Sequence, residues 1–333
     1  MPLLKAILAL GSLGFTLGLA LALAYIRLAV RTDPRKEKIL EILPGSNCGA
    51  CGYAGCEGYA TGLLDEDAPS NLCTPGGEEV ARGLAEVLGV EVEEVAKRVA
   101  VLRCKGGREE VKSDFAYLGL ENCRAAYLVH GGSKSCKYGC IGLGTCAAVC
   151  PFDAITMGQD GLPAITEERC TGCGLCMEAC PVGIIHFAPL AQKVYVGCSS
   201  HDKGKVTRKA CTVGCIACKV CEKNCPYDAI HVIDDCAEID YSKCTSCGIC
   251  VHKCPTKSIV DKVKVRPYAM IGLNCDGCGK CVEVCKFKAI EGEAGERHKV
   301  LREMCIGCGL CFEVCTPKAI TMVGALGHKE KTT

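Results

Sequence analysis

The chain has 333 residues, 33 of them cysteine, with no tryptophan, 5% aromatic residues and a formal net charge of +1. This balance excludes a strongly basic nucleic-acid binder and an acidic tail. With so few large apolar side chains, cross-links or metal must supply part of the folding energy. The pattern C-x2-C-x2-C recurs five times. Regular two-residue spacing suits a shared metal centre, whereas secreted disulfide scaffolds are short and irregularly spaced.

In chain order, the first feature is an uncharged run of 21 residues from Ala6 to Ile26, between Lys5 and Arg27. It is long enough to span a bilayer once as a helix. Arg27, Arg31, Arg35, Lys36 and Lys38 crowd its C-terminal flank, which predicts a single-pass inner (cytoplasmic) membrane protein whose body lies in the cytoplasm. Thiol-rich metal centres belong in such a reducing compartment. Residues 31–44 read as a charged tether. Cys48, Cys51, Cys56 and Cys73 then suit one cluster, with a short helix between the third and fourth. From Gly77 to Leu102 the periodicity predicts two helices around Gly89. Val80, Leu84, Val87 and Leu88 lie on one face of the first, and Val92, Val95, Ala96 and Val99 on the second. Segment 103–135 is irregular and holds isolated Cys104 and Cys123.

Internal repetition organises the rest. Cys215, Cys218, Cys221 and Cys225-Pro226 form C-x2-C-x2-C-x3-C-P, the run by which bacterial ferredoxins hold iron–sulfur clusters. Cys244, Cys247, Cys250 and Cys254 repeat it. Upstream stand Cys136, Cys140, Cys146 and Cys150, then Cys170, Cys173, Cys176 and Cys180. Downstream stand Cys275, Cys278, Cys281 and Cys285, then Cys305, Cys308, Cys311 and Cys315. Each half ends in an apolar coda suited to a short strand, such as Ala154-Ile155 or Ala229-Ile230. The upstream half is stretched, and Lys286 and Thr316 replace the expected prolines. Five cysteines remain: Cys104, Cys123, Cys198, Cys211 and Cys236. They read as small buried hydrophobes, although Cys104 and Cys123 stand where they could exchange with the stretched half's ligands or help hold a further cluster. Cys211 is expected to be unligated. No nucleophile–base pair, phosphate loop or dinucleotide fingerprint occurs. His186, His231 and His252 read as surface or packing residues.

Each pair of halves resembles a bacterial two-cluster ferredoxin, which implies two short helices and two small antiparallel hairpins around its clusters. The expected fold is small α+β and cluster-stabilised, with an anchor (1–30), a single-cluster domain (31–75), a connector (76–130) and ferredoxin-like modules at 131–195, 205–262 and 266–325. The resemblance assigns one ligand of each half to the other half's cluster. Cys136, Cys140 and Cys146 would take Cys180, while Cys150 joins Cys170, Cys173 and Cys176. Cys215, Cys218 and Cys221 would take Cys254, while Cys225 joins Cys244, Cys247 and Cys250. Cys275, Cys278 and Cys281 would take Cys315, while Cys285 joins Cys305, Cys308 and Cys311. Seven [4Fe-4S] clusters are expected, eight being possible.

The whole arrangement, including Asn122-Cys123-Arg124-Ala125-Ala126 and Lys134-Ser135-Cys136-Lys137-Tyr138-Gly139-Cys140, resembles the B-subunit family of the Rnf complex, the membrane-bound ion-translocating ferredoxin:NAD oxidoreductase. The resemblance implies an electron-transfer subunit that accepts electrons from soluble reduced ferredoxin and passes them to membrane subunits, which reduce NAD and move sodium ions or protons. A basic rim of Lys262, Lys264, Arg266, Arg297, Lys299 and Arg302 would steer an acidic ferredoxin to the C-terminal module. The alternatives are a polyferredoxin subunit of a hydrogenase, a heterodisulfide reductase or a transcription-factor-reducing system, and a zinc-stapled scaffold.

Overall fold

The computed structural model describes residues 2–28, 33–91 and 97–323, so the expectations for Arg31, Val92, Val95 and Ala96 fall outside the described residues. The chain forms two compact units, Met1–Glu94 and Val95–Thr333.

In the first unit, α1 (Pro2–Leu28) contains an 18-residue window, Leu10–Arg27, long and apolar enough to cross a membrane. The expected tether is in part a helix, α2 (Pro34–Ile42). Asp33 caps it by accepting the Arg35 N–H at 2.8 Å, and Pro34 supplies a preset φ at its first turn. Its Ile39 packs with Tyr59 of α3 (Gly55–Asp65) and Leu84 of α4 (Gly77–Leu88), all three fully buried. Burial of each such side chain contributes about 1.5–3 kcal/mol. α4 follows the predicted periodicity and stops at Gly89, whose φ of +72° suits a residue without Cβ.

The second predicted helix fails at its far end. Residues 98–102 are a strand, because Val99, Ala100, Val101 and Leu102 are all buried and leave no polar helical face. Among the described residues of this unit there are twelve short strands: β1 (Arg98–Leu102), β2 (Ile155–Met157), β3 (Pro163–Ile165), β4 (Ile185–Pro189), β5 (Val194–Val196), β6 (Ile230–Ile233), β7 (Cys236–Ile239), β8 (Ile259–Asp261), β9 (Tyr268–Ile271), β10 (Ile290–Glu291), β11 (Lys299–Val300) and β12 (Ile320–Val323). Six of them start on the isoleucine of an apolar coda, where β-branching fits a half-buried pleat.

One antiparallel pairing scheme recurs along the unit. β2 pairs with β3 inside the closure of β1 on β4, β6 with β7 inside β5 on β8, and β10 with β11 inside β9 on β12. The first closure starts at Arg98, well ahead of the expected boundary at residue 131. The intervening helices are α5 (Cys123–Leu128), α6 (Thr145–Ala148), α7 (Leu175–Ala179), α8 (Gly204–Ala210), α9 (Val220–Asn224), α10 (Ile249–Lys253), α11 (Lys280–Val284) and α12 (Leu310–Val314). None is long enough to be stable alone. Three of the core clusters pack coda residues, and residues of the strands that pair with them, against cysteines.

Candidate iron–sulfur sites

Every half-motif shares a backbone device. The residues two and four positions after its first cysteine are left-handed: Gly172 and Gly174, Ala217 and Lys219, Ser246 and Gly248, Gly277 and Gly279, Gly307 and Gly309. Alternation of hand curls the chain so that successive amides face one side, a concave nest for a negatively charged group. Ala217 at +53°, Lys219 at +56° and Ser246 at +55° adopt this conformation without being glycine. Such strain persists where the site over-determines it. The last left-handed residue of each pair is the N-cap of the short helix that carries the third cysteine.

The stretched half obeys the same rule in a register the cysteine spacing concealed. Gly142 (+86°) and Gly144 (+71°) hold the two left-handed positions, so Cys140 is the first cysteine and Cys146, on α6, the third. Leu143 stands where the central cysteine belongs. Its place is taken by Cys123 at the start of α5, which lines one cavity with Cys140, Cys146 and Cys180. The Cys123 N–H donates to Thr145 Oγ1 at 2.7 Å, fastening it there. Cys136, expected with Cys140, Cys146 and Cys180, does not line that cavity.

Four other cavities are each lined by four cysteines. These are Cys48, Cys51, Cys56 and Cys73; Cys150, Cys170, Cys173 and Cys176; Cys225, Cys244, Cys247 and Cys250; and Cys285, Cys305, Cys308 and Cys311. Cys215, Cys221 and Cys254 share a core, and the Cys221 thiol also senses that of Cys218. Cys275, Cys281 and Cys315 share another, with Cys278 beside Cys281. In the N-terminal site, Asn47 Oδ1 accepts the Cys56 N–H at 2.8 Å. Buried Tyr59 holds the loop ahead of Cys73 by donating to Pro69 O at 2.6 Å and accepting from Leu72 N–H at 3.3 Å.

Backbone amides reach several sulfurs. Ala100 N–H donates to Cys170 Sγ at 3.4 Å, Ala229 to Cys225 at 3.4 Å, Ala289 to Cys285 at 3.2 Å and Ala319 to Cys315 at 3.2 Å. At Cys254 the coda alanine is replaced by Ser258, whose Oγ lies 3.3 Å from Sγ. Three other motif thiols resist ionisation without a counter-charge: burial, then neighbouring thiols, pushes Cys176 up to about 12, and burial is likewise the main cause at Cys221 and Cys311, each raised to about 12. Iron would provide the missing positive charge. Among the described residues no group of three or more His, Cys, Asp or Glu could hold a single metal ion. Tetrahedral zinc would draw four sulfurs to about 2.3 Å from one point, whereas a [4Fe-4S] cluster is held by four cysteines from a motif of this spacing, as these cavities bring together.

The proline replacements serve as ties. Lys286 Nζ donates to Asn224 O at 3.2 Å, and Lys280 Nζ to Thr316 Oγ1 at 2.9 Å. His252 packs edge-on to Phe287 with ring centroids 5.8 Å apart. Three members of the expected basic rim are engaged internally, Arg297 among them, whose guanidinium donates to Ile271 O at 2.6 Å. Lys262 pairs with Glu167 at 2.9 Å, and Arg266 joins Asp261 to the carbonyls of Ser246 and Cys247, the latter at 2.8 Å.

Comparison with known proteins agrees with this geometry. An Fe-S cluster family matches residues 43–75, and 4Fe-4S dicluster domain families match 136–187, 169–229, 236–286 and 269–322. The B-subunit of the ion-translocating oxidoreductase complex of Methanosarcina acetivorans is 45% identical over 77% of this chain and 97% of its own length. This chain belongs to the Rnf B-subunit family. Two further relatives are the B-subunit of the Na(+)-translocating ferredoxin:NAD(+) oxidoreductase complex of Acetobacterium woodii, 45% identical over 77% of each chain, and its proton-translocating counterpart from Clostridium ljungdahlii, 44% identical over 74% of this chain and 88% of its own. These Rnf relatives thus share most of their length with this chain.

Proposed function

We propose that this chain is the electron-transfer subunit of an ion-translocating ferredoxin:NAD oxidoreductase, built as a membrane anchor, a single-cluster domain and three two-cluster ferredoxin modules. The observation that carries the reading is the left-handed pair repeated at every half-motif, including the half that lacks its central cysteine, together with membership of the Rnf B-subunit family. Seven sets of cysteines would hold [4Fe-4S] clusters. They are Cys48, Cys51, Cys56 and Cys73; Cys123, Cys140, Cys146 and Cys180; Cys150, Cys170, Cys173 and Cys176; Cys215, Cys218, Cys221 and Cys254; Cys225, Cys244, Cys247 and Cys250; Cys275, Cys278, Cys281 and Cys315; and Cys285, Cys305, Cys308 and Cys311. Bound there, such clusters supply one-electron centres whose potentials follow hydrogen bonding, charge and exposure.

The protein's own part is to position thiolates, donate amide hydrogen bonds to them and exclude water with the coda isoleucines. α1 would hold the protein in the cytoplasmic membrane, with the cysteine-rich body on the basic, cytoplasmic side. Soluble reduced ferredoxin would be the donor, and the membrane subunits of the complex the acceptor.

The test is anaerobic purification of the membrane complex with an assay of ferredoxin-dependent NAD reduction. The expected result is a brown polypeptide that dithionite bleaches, in a complex active in that assay only when this polypeptide is present. A colourless, zinc-replete polypeptide would sink the reading.

A further inference from the structure

Four of the thiols not used above converge. Residues 110–114 run between two other stretches of backbone. On one side Lys112 N–H donates to Ala210 O at 3.1 Å and Thr212 N–H to Glu110 O at 2.9 Å, with Val111 bridged to Cys211. On the other, Ser135 N–H donates to Lys112 O at 2.9 Å and Asp114 N–H to Ser133 O at 2.8 Å. Cys136 and Cys211 are thereby drawn to the two flanks of one segment. Gly106 lies over them: a Cβ there would come within 3.3 Å of Cys211 Sγ, and its carbonyl accepts Lys134 Nζ at 2.8 Å.

Cys104 precedes Gly106 by two residues, and Cys198 stands across from it. Ser199 Oγ donates to Arg103 O at 3.1 Å, while a Cβ on Gly197 would meet Lys105 Cγ at 2.6 Å, so the residues on both sides of Cys198 touch those on both sides of Cys104. The two sulfurs receive the same kind of bond as the motif ligands. Cys140 N–H donates to Cys104 Sγ at 3.4 Å and Cys215 N–H to Cys198 Sγ at 3.3 Å. The Cys136 thiol feels those of Cys198, Cys104 and Cys211, in addition to the larger effect of its burial.

We propose that Cys104, Cys136, Cys198 and Cys211 hold an eighth [4Fe-4S] cluster. The proposal rests on the reading of the other sets as clusters, and departs from the expectation that Cys211 is unligated. Its count closes: of 33 cysteines, eight sets of four leave only Cys236. That residue is fully buried and satisfied within the protein, its Sγ donating to Cys198 O at 3.4 Å. The bland alternative, four apolar thiols, does not explain why they come from four separate segments and face one another, with the Lys134 ammonium beside Cys104. The site's place gives it a use. Cys104 follows β1 and Cys198 follows β5, and each accepts an amide from a ligand of a neighbouring site, Cys140 on one side and Cys215 on the other. A single electron passing between those neighbours, from reduced centre to oxidised centre with no bond made or broken, has its stop here.

Iron and acid-labile sulfide per chain, measured on the full-length protein reconstituted anaerobically, test this. The wild type should carry about 32 iron atoms, and Cys104→Ala, Cys211→Ala and their double variant should each carry about 28. Cys236→Ala should remain at the wild-type value. A wild type saturating near 28 iron atoms, or an unchanged count in both single variants, overturns the proposal. The wild-type count decides even if a variant fails to fold. A chain with scarcely any iron would instead overturn the reading of the other sets.

Discussion

The Cys123 amide and the Thr145 hydroxyl, 22 residues apart, are joined at 2.7 Å, and through them a connector cysteine becomes part of a ferredoxin-like half-motif. Cys123→Ala should therefore remove about four iron atoms per chain, whereas the regular spacing alone would have that residue cost none. Thr145→Val should leave the ligands in place while releasing α5, and raise the rate at which a chelator extracts iron. Iron analysis and chelation kinetics read out both.

Arg266 is the second case. Its guanidinium, mostly buried, links Asp261 to the carbonyls of Ser246 and Cys247 and so braces the loop that carries Cys244 and Cys247. Arg266→Ala should destabilise that region by about 1–3 kcal/mol, since charged hydrogen bonds are lost and Asp261 is left unpaired. Faster chelation of part of the iron, with little change in ferredoxin encounter rate, is the expected signature.

Removal of iron from the whole protein should collapse the second unit. Its strands have two to five residues and its core clusters include the ligands themselves. Far-ultraviolet circular dichroism should then lose its strand signal while keeping the helical signal of the first unit, with the loss reversed on reconstitution.

The pH dependence of reconstitution follows from the thiols. Burial raises Cys140 to about 12 and Cys146 to about 11, so both are protonated at neutral pH until iron displaces the proton. Proton release on binding means that affinity rises with pH. Iron incorporation at about pH 8.5 should exceed that at about pH 6.5, and equal yields would contradict the assignment.

Electron uptake should depend on salt if ferredoxin docks at the C-terminal module. With Lys262, Arg266 and Arg297 engaged, the remaining positive charge there comes from Lys264, Lys299 and Arg302, all exposed. Reversal of these three to glutamate should slow uptake from reduced ferredoxin by about tenfold or more at low ionic strength and flatten its salt dependence. Stopped-flow reduction with and without added salt provides the measurement.

Much of this architecture is legible in the cysteine spacing, because a ligand every three residues leaves the backbone few ways to turn. The codas also announce their strands, as at Ile155 and Ile230. The rest depends on contacts between residues far apart in sequence. The apolar neighbours of Val99 suit a helical or an extended period equally, and only pairing with β4 distinguishes them. Cys123 and Cys211 carry no local signature at all. A clue to the first does exist: Gly142-Leu143-Gly144 has the glycines of a half-motif around a leucine, which says that one thiol must come from elsewhere.

The closure of β1 on β4, with Arg98 opposite Pro189, has a consequence for biosynthesis. Each two-cluster segment is completed by the last strand to leave the ribosome, and each leading site waits for a cysteine made some thirty residues later, as Cys215 waits for Cys254. Sites must therefore mature in order along the nascent chain, and unfinished ones stay open to the cell's cluster-delivery machinery until the closing strand docks. A ribosome paused between residues 190 and 255 would carry one finished segment and one whose thiols are still exposed to oxidants.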